Sequence, residues 1–189
     1  MFTILVVLLA GLAVLLAYAS TRPDTFQVRR AATIEAAPER IHPLIGDLLN
    51  WTAWSPYEKL DPAMKRTYRG GSNGAAVGYA WEGNRKAGKG RIDITRSTPA
   101  SVTMRLQMLE PIACLNVVEF TLAPAGDATT VTWAMRGPAR FMSRLLGIFV
   151  DIDRLVGRDF EAGLANLKRL AEQPSGAPGV ATSLQTIGS

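Results

Sequence analysis

FMSRLLGIFVDIDRLVGRDFEAGLANLKRL, residues 141–170, decides the fold. Leu145, Leu146, Phe149, Ile152, Leu155, Val156, Phe160, Leu164, Leu167 and Leu170 recur there at spacings of three and four. That periodicity sets one apolar stripe along a helix, with Arg144, Asp151, Arg154, Arg158, Glu161 and Lys168 mostly off it. A stripe so long must be covered, and the surface to cover it has to come from the residues before it. Gly147, Gly157 and Gly163 mark either a break near 147–151 or places where the helix backbone comes close to that surface.

The covering surface is a series of strands. Alternation predicts strands near Met64–Tyr68, Ala76–Trp81, Gly90–Arg96, Ser101–Leu109, Leu115–Leu122 and Thr129–Met135, separated by Gly- and Pro-containing turns. Connections this short imply antiparallel neighbours. One face collects Val77, Tyr79, Trp81, Ile92, Ile94, Val102, Met104, Leu106, Met108, Val118, Phe120, Leu122, Val131, Trp133 and Met135. The other collects Arg91, Asp93, Thr95, Thr103, Arg105, Gln107, Glu119, Thr121, Thr132 and Arg136, so one face is apolar and one wet. Upstream, Thr25–Glu35 reads as a first strand, and Pro38 opens a helix over Glu39–Leu49, where its missing N–H costs nothing. Trp51, Trp54 and Tyr57, closed by Pro56, read as a bulky loop rather than a helix.

Both ends differ from the middle. Phe2–Ala19 is apolar except for Thr3 and Tyr18, just long enough to cross a hydrocarbon core. No basic residue precedes it, and Arg22, Arg29 and Arg30 follow, so we read residues 1–22 as a transmembrane anchor with the domain on the cytoplasmic side. Cleavage near Ala19, giving a secreted or periplasmic protein, is the alternative. Residues 23–172 form one domain by length. Residues 173–189 carry no charge and little periodicity, and read as a disordered tail.

Charge is local. Lys59, Lys65, Arg66, Arg69, Arg85, Lys86, Lys89 and Arg91 are opposed within 59–91 only by Asp61 and Glu82, which makes that segment +6 in a chain of net +5. Such a patch either keeps a hairpin solvated or faces an anionic surface such as a membrane. A nucleic-acid surface needs aromatics interleaved with the basic residues, whereas here the aromatics share the apolar face. Cys114 is the only cysteine, so no intramolecular disulfide forms and a free buried thiol is expected. His42 is the only histidine; it reads as a surface or capping residue, and the usual metal sites are excluded with it. Gly83–Lys89 spells GxxxxGK, but Gly90 stands where the magnesium-binding hydroxyl belongs and a strand follows instead of a helix. No metal and no cofactor is expected. Asp93 and Glu119 sit among arginines on the wet face, where cross-strand ion pairing explains them.

The order strand, helix, aromatic segment, six-strand meander and long C-terminal helix resembles the helix-grip fold of the START-like (SRPBCC) superfamily, and looks most like its polyketide cyclase/dehydrase branch. The likeness rests on Ala37-Pro38-Glu39; Trp51, Trp54, Ser55, Pro56, Tyr57 and Glu58; Gly88, Gly90 and Ile92; Thr130, Trp133, Met135 and Gly137; and Gly157, Asp159, Phe160, Gly163 and Leu164. It implies an α+β fold in which a curved antiparallel sheet of about seven strands wraps a long helix, leaving an apolar cavity open at one end. Tyr79, Trp81, Met104, Leu106, Phe120, Trp133, Met135, Met142, Leu146 and Phe149 are expected to look inward, where methionines suit an adaptable ligand site. Trp51, Trp54 and Tyr57 either guard the mouth or pack under the helix. The function expected is membrane-tethered binding of a hydrophobic molecule: a lipid, isoprenoid or polyketide-like compound. A cyclase or dehydratase using Tyr57, Glu58 or Tyr79 for proton transfer is one alternative. A non-catalytic partner-binding protein with a filled core is the other.

Overall fold

The computed structural model describes residues 25–71, 74–138 and 152–174. Strand β1 (Thr25–Ile34) leads to helix α1 (Pro38–Gly46), a 3₁₀ turn at Leu48–Asn50, the one-turn helix α2 (Trp51–Trp54) and a second 3₁₀ turn at Pro56–Lys59. Strands β2 (Lys65–Gly70), β3 (Ala76–Glu82), β4 (Lys89–Thr98), β5 (Ser101–Glu110), β6 (Cys114–Ala125) and β7 (Ala128–Pro138) follow, and helix α3 (Ile152–Ala171) closes the described chain. The seven strands form one antiparallel sheet in the order β1-β7-β6-β5-β4-β3-β2. Six strands meander; the first crosses over to pair with the last. This is the helix-grip arrangement expected.

Three expectations are corrected. Trp51–Trp54 is a helical turn, not a loop, because Ser55 N–H reaches the Trp51 carbonyl at 2.8 Å before Pro56 ends it. The helix expected to reach Leu49 stops at Gly46, where Asp47 turns extended. The Asp47 carboxylate then accepts from Leu49 N–H and Ala76 N–H, each at 3.0 Å, tying the turn to β3. Cys114 is half-buried and free rather than fully buried. The anchor at 1–22, most of the tail from 173, and Met142, Leu146, Phe149 and Gly147 lie outside the described residues. No helix among the described residues is long and apolar enough to cross a membrane.

Packing follows the period-2 pattern. Val28 and Ile34 of β1, Val102 and Met104 of β5, Val118, Phe120 and Leu122 of β6, and Val131 and Trp133 of β7 face α3, which returns Phe160, Leu164 and Leu167. On the far face Arg69 pairs with Asp93 at 2.5 Å and Arg136 with Glu119 at 3.9 Å. Gly157 and Gly163 both mark close approach. A Cβ at 157 would strike the Arg30 guanidinium, and one at 163 would lie 2.6 Å from Trp133 Cζ3. Arg30, on the inward face of β1, runs along α3 and grips Asp153 at 2.9 Å and Glu161 at 2.7 Å.

Candidate functional site

The apolar face of the sheet is used in two halves. Toward the end where β6 finishes and β7 begins, Val102, Phe120, Leu122 and Val131 are sealed under α1 and α3. Toward the other end the sheet diverges from α3 and a cavity of about 360 Å³ opens. That volume lies at the small end of the usual range for ligand pockets. The division falls within single strands: Met104 packs while Leu106 and Met108 line the cavity, and Phe120 packs while Asn116 and Val118 line it.

An aromatic block forms the floor. Trp133 stacks on Phe160 with ring centres 4.1 Å apart and planes 7° apart, and lies 4.9 Å from Phe120. Trp51 and Trp54 pack edge-on against the same ring, with their N–H groups donating to the carbonyls of Ile45 at 3.0 Å and Leu44 at 2.8 Å. Asn166 of α3 donates to the Trp54 carbonyl at 3.0 Å. Both tryptophans are buried and pack under the helix, and Trp51 also reaches the cavity wall. Of the lining residues only Leu60 and Lys86, from the segments before β2 and after β3, are exposed, so the cavity meets solvent beside them.

Of the expected wall residues, Tyr57, Tyr79, Trp81, Leu106, Trp133 and Met135 line the cavity. Trp54, Met104 and Phe120 do not; each has no accessible surface and fills the packed half. Ser55, Glu58, Asn116, Val156 and Asp159 also reach the wall. Asn116 carried a readable signal, since it keeps phase with Val118, Phe120 and Leu122 and so puts an amide on the apolar face. Asp159 carried none, because a carboxylate beside Phe160 on a helix reads equally well as solvated.

The polar groups on the wall fall into two kinds. Some are satisfied. Glu58, 6% exposed, takes Arg66 Nε at 2.6 Å on one oxygen and the Tyr79 hydroxyl at 2.7 Å on the other. Burial, followed by the Glu58 charge, raises the Tyr79 pKa, and burial raises that of Tyr57; both phenols stay protonated. Burial also raises the Asp159 carboxyl above the usual aspartate range. Others are unsatisfied. Ser55 Oγ, Asn116 Oδ1 and Trp133 Nε1 are buried with no hydrogen-bond partner among the described residues. A buried polar atom left unpaired costs about 1–3 kcal/mol, so three around one cavity call for an account. His42 lies away from the site, with Nε2 3.1 Å from Ser97 Oγ. No group of three His, Cys, Asp or Glu side chains converges on a metal-sized point among the described residues.

Residues 25–172 match the family model described as polyketide cyclase/dehydrase and lipid transport. No curated protein matches the sequence. Solved structures do. A protein from Chromobacterium violaceum superposes with a TM-score of 0.54 at 15% identity, over 80% of this chain and 99% of its own. One from Nitrosospira multiformis gives 0.53 at 19%, over 76% and 94%. A protein of the dynemicin biosynthetic locus gives 0.52 at 16%, over 80% of this chain and 48% of its own. At these identities the likeness is one of fold.

Proposed function

The chain belongs to the polyketide cyclase/dehydrase and lipid transport family, and from that premise we propose that it binds a hydrophobic small molecule between the sheet and α3. The cavity carries the reading. Its wall is mostly Trp, Tyr, Met, Leu, Val and Phe, and its volume of about 360 Å³ is too large for a filled core. The unpartnered Ser55, Asn116 and Trp133 atoms have almost no accessible surface in the empty cavity, so they bear on the ligand only where a guest displaces the side chains that cover them. Trp133 Nε1 needs an acceptor and Asn116 Oδ1 a donor, so an apolar skeleton bearing a hydroxyl fits better than a pure hydrocarbon. The anchor expected at residues 2–19 would hold the domain at a bilayer, with the basic segment 59–91 toward anionic headgroups and the domain on the cytoplasmic side.

Titration with tetralin, 1-tetralone and 1-tetralol, followed by tryptophan fluorescence on the chain lacking residues 1–22, tests this. Binding should strengthen from hydrocarbon to ketone to alcohol, by roughly tenfold overall if one hydrogen bond of about 1.4 kcal/mol is gained. No binding by any of the three, and no lipid recovered by extraction, would sink it.

A cyclase or dehydratase is the second reading. Ionisable side chains on the wall favour it. Glu58 is held on both oxygens by Arg66 and Tyr79 and suits clamping better than proton transfer. Asp159 is not tied in this way, and its raised pKa suits a general acid. Under this reading Asp159→Asn abolishes turnover of a cavity-bound ring precursor while leaving tetralol binding unchanged.

A further inference from the structure

One end of the sheet gathers features that the cavity does not explain. Strand pairing sets Thr25 opposite Pro138, Lys65 opposite Glu82, Lys89 opposite Glu110 and Met108 opposite Cys114. The β3–β4 and β5–β6 turns, the start of β1 and the segment before β2 therefore share one pole. Among the described residues six large apolar side chains are exposed, and four of them lie here: Leu60, Leu109, Ile112 and Leu115, with Ile112 the most exposed at 67%. Three of the four belong to the β5–β6 hairpin, on the side of β5 away from the core. Leu60 and Lys86, the exposed residues of the cavity lining, lie at the same pole and set the cavity mouth there.

The charges beside this patch are mainly cationic. Arg85 and Lys86 are exposed in the β3–β4 turn, and Arg91 and Arg105 flank Leu109 and Leu115 on the outer face. Of the acids nearby, Glu82 and Glu110 both face Lys89, at 2.9 Å and 3.9 Å, and Asp93 pairs with Arg69 at 2.5 Å and lies 3.7 Å from Arg91, which leaves Arg85 and Lys86 without an ion-pair partner among the described residues. Arg91 stands two positions behind the start of β4, about 7 Å back from Leu109 along the strand direction. That is close to the depth separating the headgroup phosphates from the first acyl carbons in an interfacially bound element. The chain itself adds a constraint. Only Ser20–Asp24 separate the apolar run Phe2–Ala19 from Thr25, and five residues span at most about 18 Å. Whatever takes up that run lies within reach of this pole.

We propose that the β5–β6 hairpin tip, through Leu109, Ile112 and Leu115, inserts into the interface of an anionic lipid bilayer, with Arg85, Lys86 and Arg91 at the phosphates and the cavity mouth facing the membrane. An apolar ligand then exchanges between bilayer and cavity without crossing water. The purpose of this docking rests on the proposed ligand binding. Its test does not, because insertion is read with no ligand present.

The full chain carrying Cys114→Ser and Ile112→Cys is labelled with an environment-sensitive dye and added to vesicles of phosphatidylcholine, with or without phosphatidylglycerol. The same dye at Asp127→Cys, in the β6–β7 turn at the opposite pole, is the reference. Emission at 112 should shift to the blue and be quenched several-fold by brominated acyl chains, more strongly with phosphatidylglycerol, while emission at 127 stays as in buffer. Leu109→Cys, labelled likewise, serves if the first variant does not fold, and should behave in the same way. Position 112 behaving like 127 would overturn the proposal. So would equal quenching in both lipid mixtures, which removes the charge argument. A blue shift that grows with protein concentration in the absence of lipid would assign the patch to a second copy of the chain instead.

Discussion

Asn116 is held between neighbours that fix it but do not satisfy it. Its Oδ1 lies against the backbone of Gly137, where a Cβ would collide with it, and among the described residues its Nδ2 donates to Cys114 Sγ at 3.5 Å. Replacing an unpaired buried acceptor by an apolar group of similar size removes a desolvation penalty. Asn116→Leu should therefore raise the stability of the empty protein by about 1 kcal/mol, seen as a higher midpoint in urea. It should also bring 1-tetralol affinity down toward that of tetralin. A gain in stability with full tetralol preference retained would show that the amide does not meet the ligand. Asp159 makes the complementary case. Burial raises its folded pKa above the unfolded value, so its contribution favours the fold below the unfolded pKa and is lost as pH rises through the folded one. Asp159→Asn should raise Tm at about pH 7 and leave it unchanged at about pH 3, where both side chains are neutral. Equal gains at both values would point to packing rather than charge. Asn116 was legible as an in-phase polar residue, whereas Asp159 was not, because helix periodicity does not say which end of a stripe abuts empty space.

Helix α3 reaches the sheet only because two of its positions lack side chains. A Cβ at Gly163 would sit 2.6 Å from Trp133 Cζ3 and 3.1 Å from Pro56 Cδ. Both are held: Trp133 is stacked on Phe160, and Pro56 follows the turn that Asn166 bonds. Alanine gains about 1 kcal/mol of helix propensity over glycine, but overpacking a fixed neighbour costs about 1–3 kcal/mol. Gly163→Ala should lose about 1 kcal/mol net, read from urea denaturation. A stabilised variant would mean that the indole can move aside and the floor is soft. The glycines were visible in the sequence as either a helix break or a close approach. Gly157 and Gly163 resolve to close approach, and that choice depends on Arg30 and Trp133, residues far away in the chain that no local pattern brings into view.

At the scale of the whole molecule, the strands, their antiparallel order and the face covered by α3 followed from alternation, because six to twelve residues of period two leave little freedom in which face is buried. Which apolar residues line space and which fill it did not follow. Met104 and Leu106 have the same chemistry, strand and direction, yet one packs and the other lines the cavity. The difference is set by divergence of sheet and helix, a property of the register between β1, β7 and α3 over more than a hundred residues of separation. That divergence has a thermodynamic consequence. A molecule that enters the cavity binds only the folded state, so it stabilises by RT ln(1 + [L]/Kd), about 2.7 kcal/mol at a hundredfold excess over Kd. A domain of this size shifts its Tm by about 2–4 °C per kcal/mol, so saturating 1-tetralol should raise the melting temperature by about 5–11 °C. The shift should fall when Leu106→Trp fills the wall, while Val102→Ile in the packed half should leave it in place. A protein whose interior is merely loose would show the opposite order. Filling the space would raise the melting temperature without ligand, and 1-tetralol would add nothing to either variant.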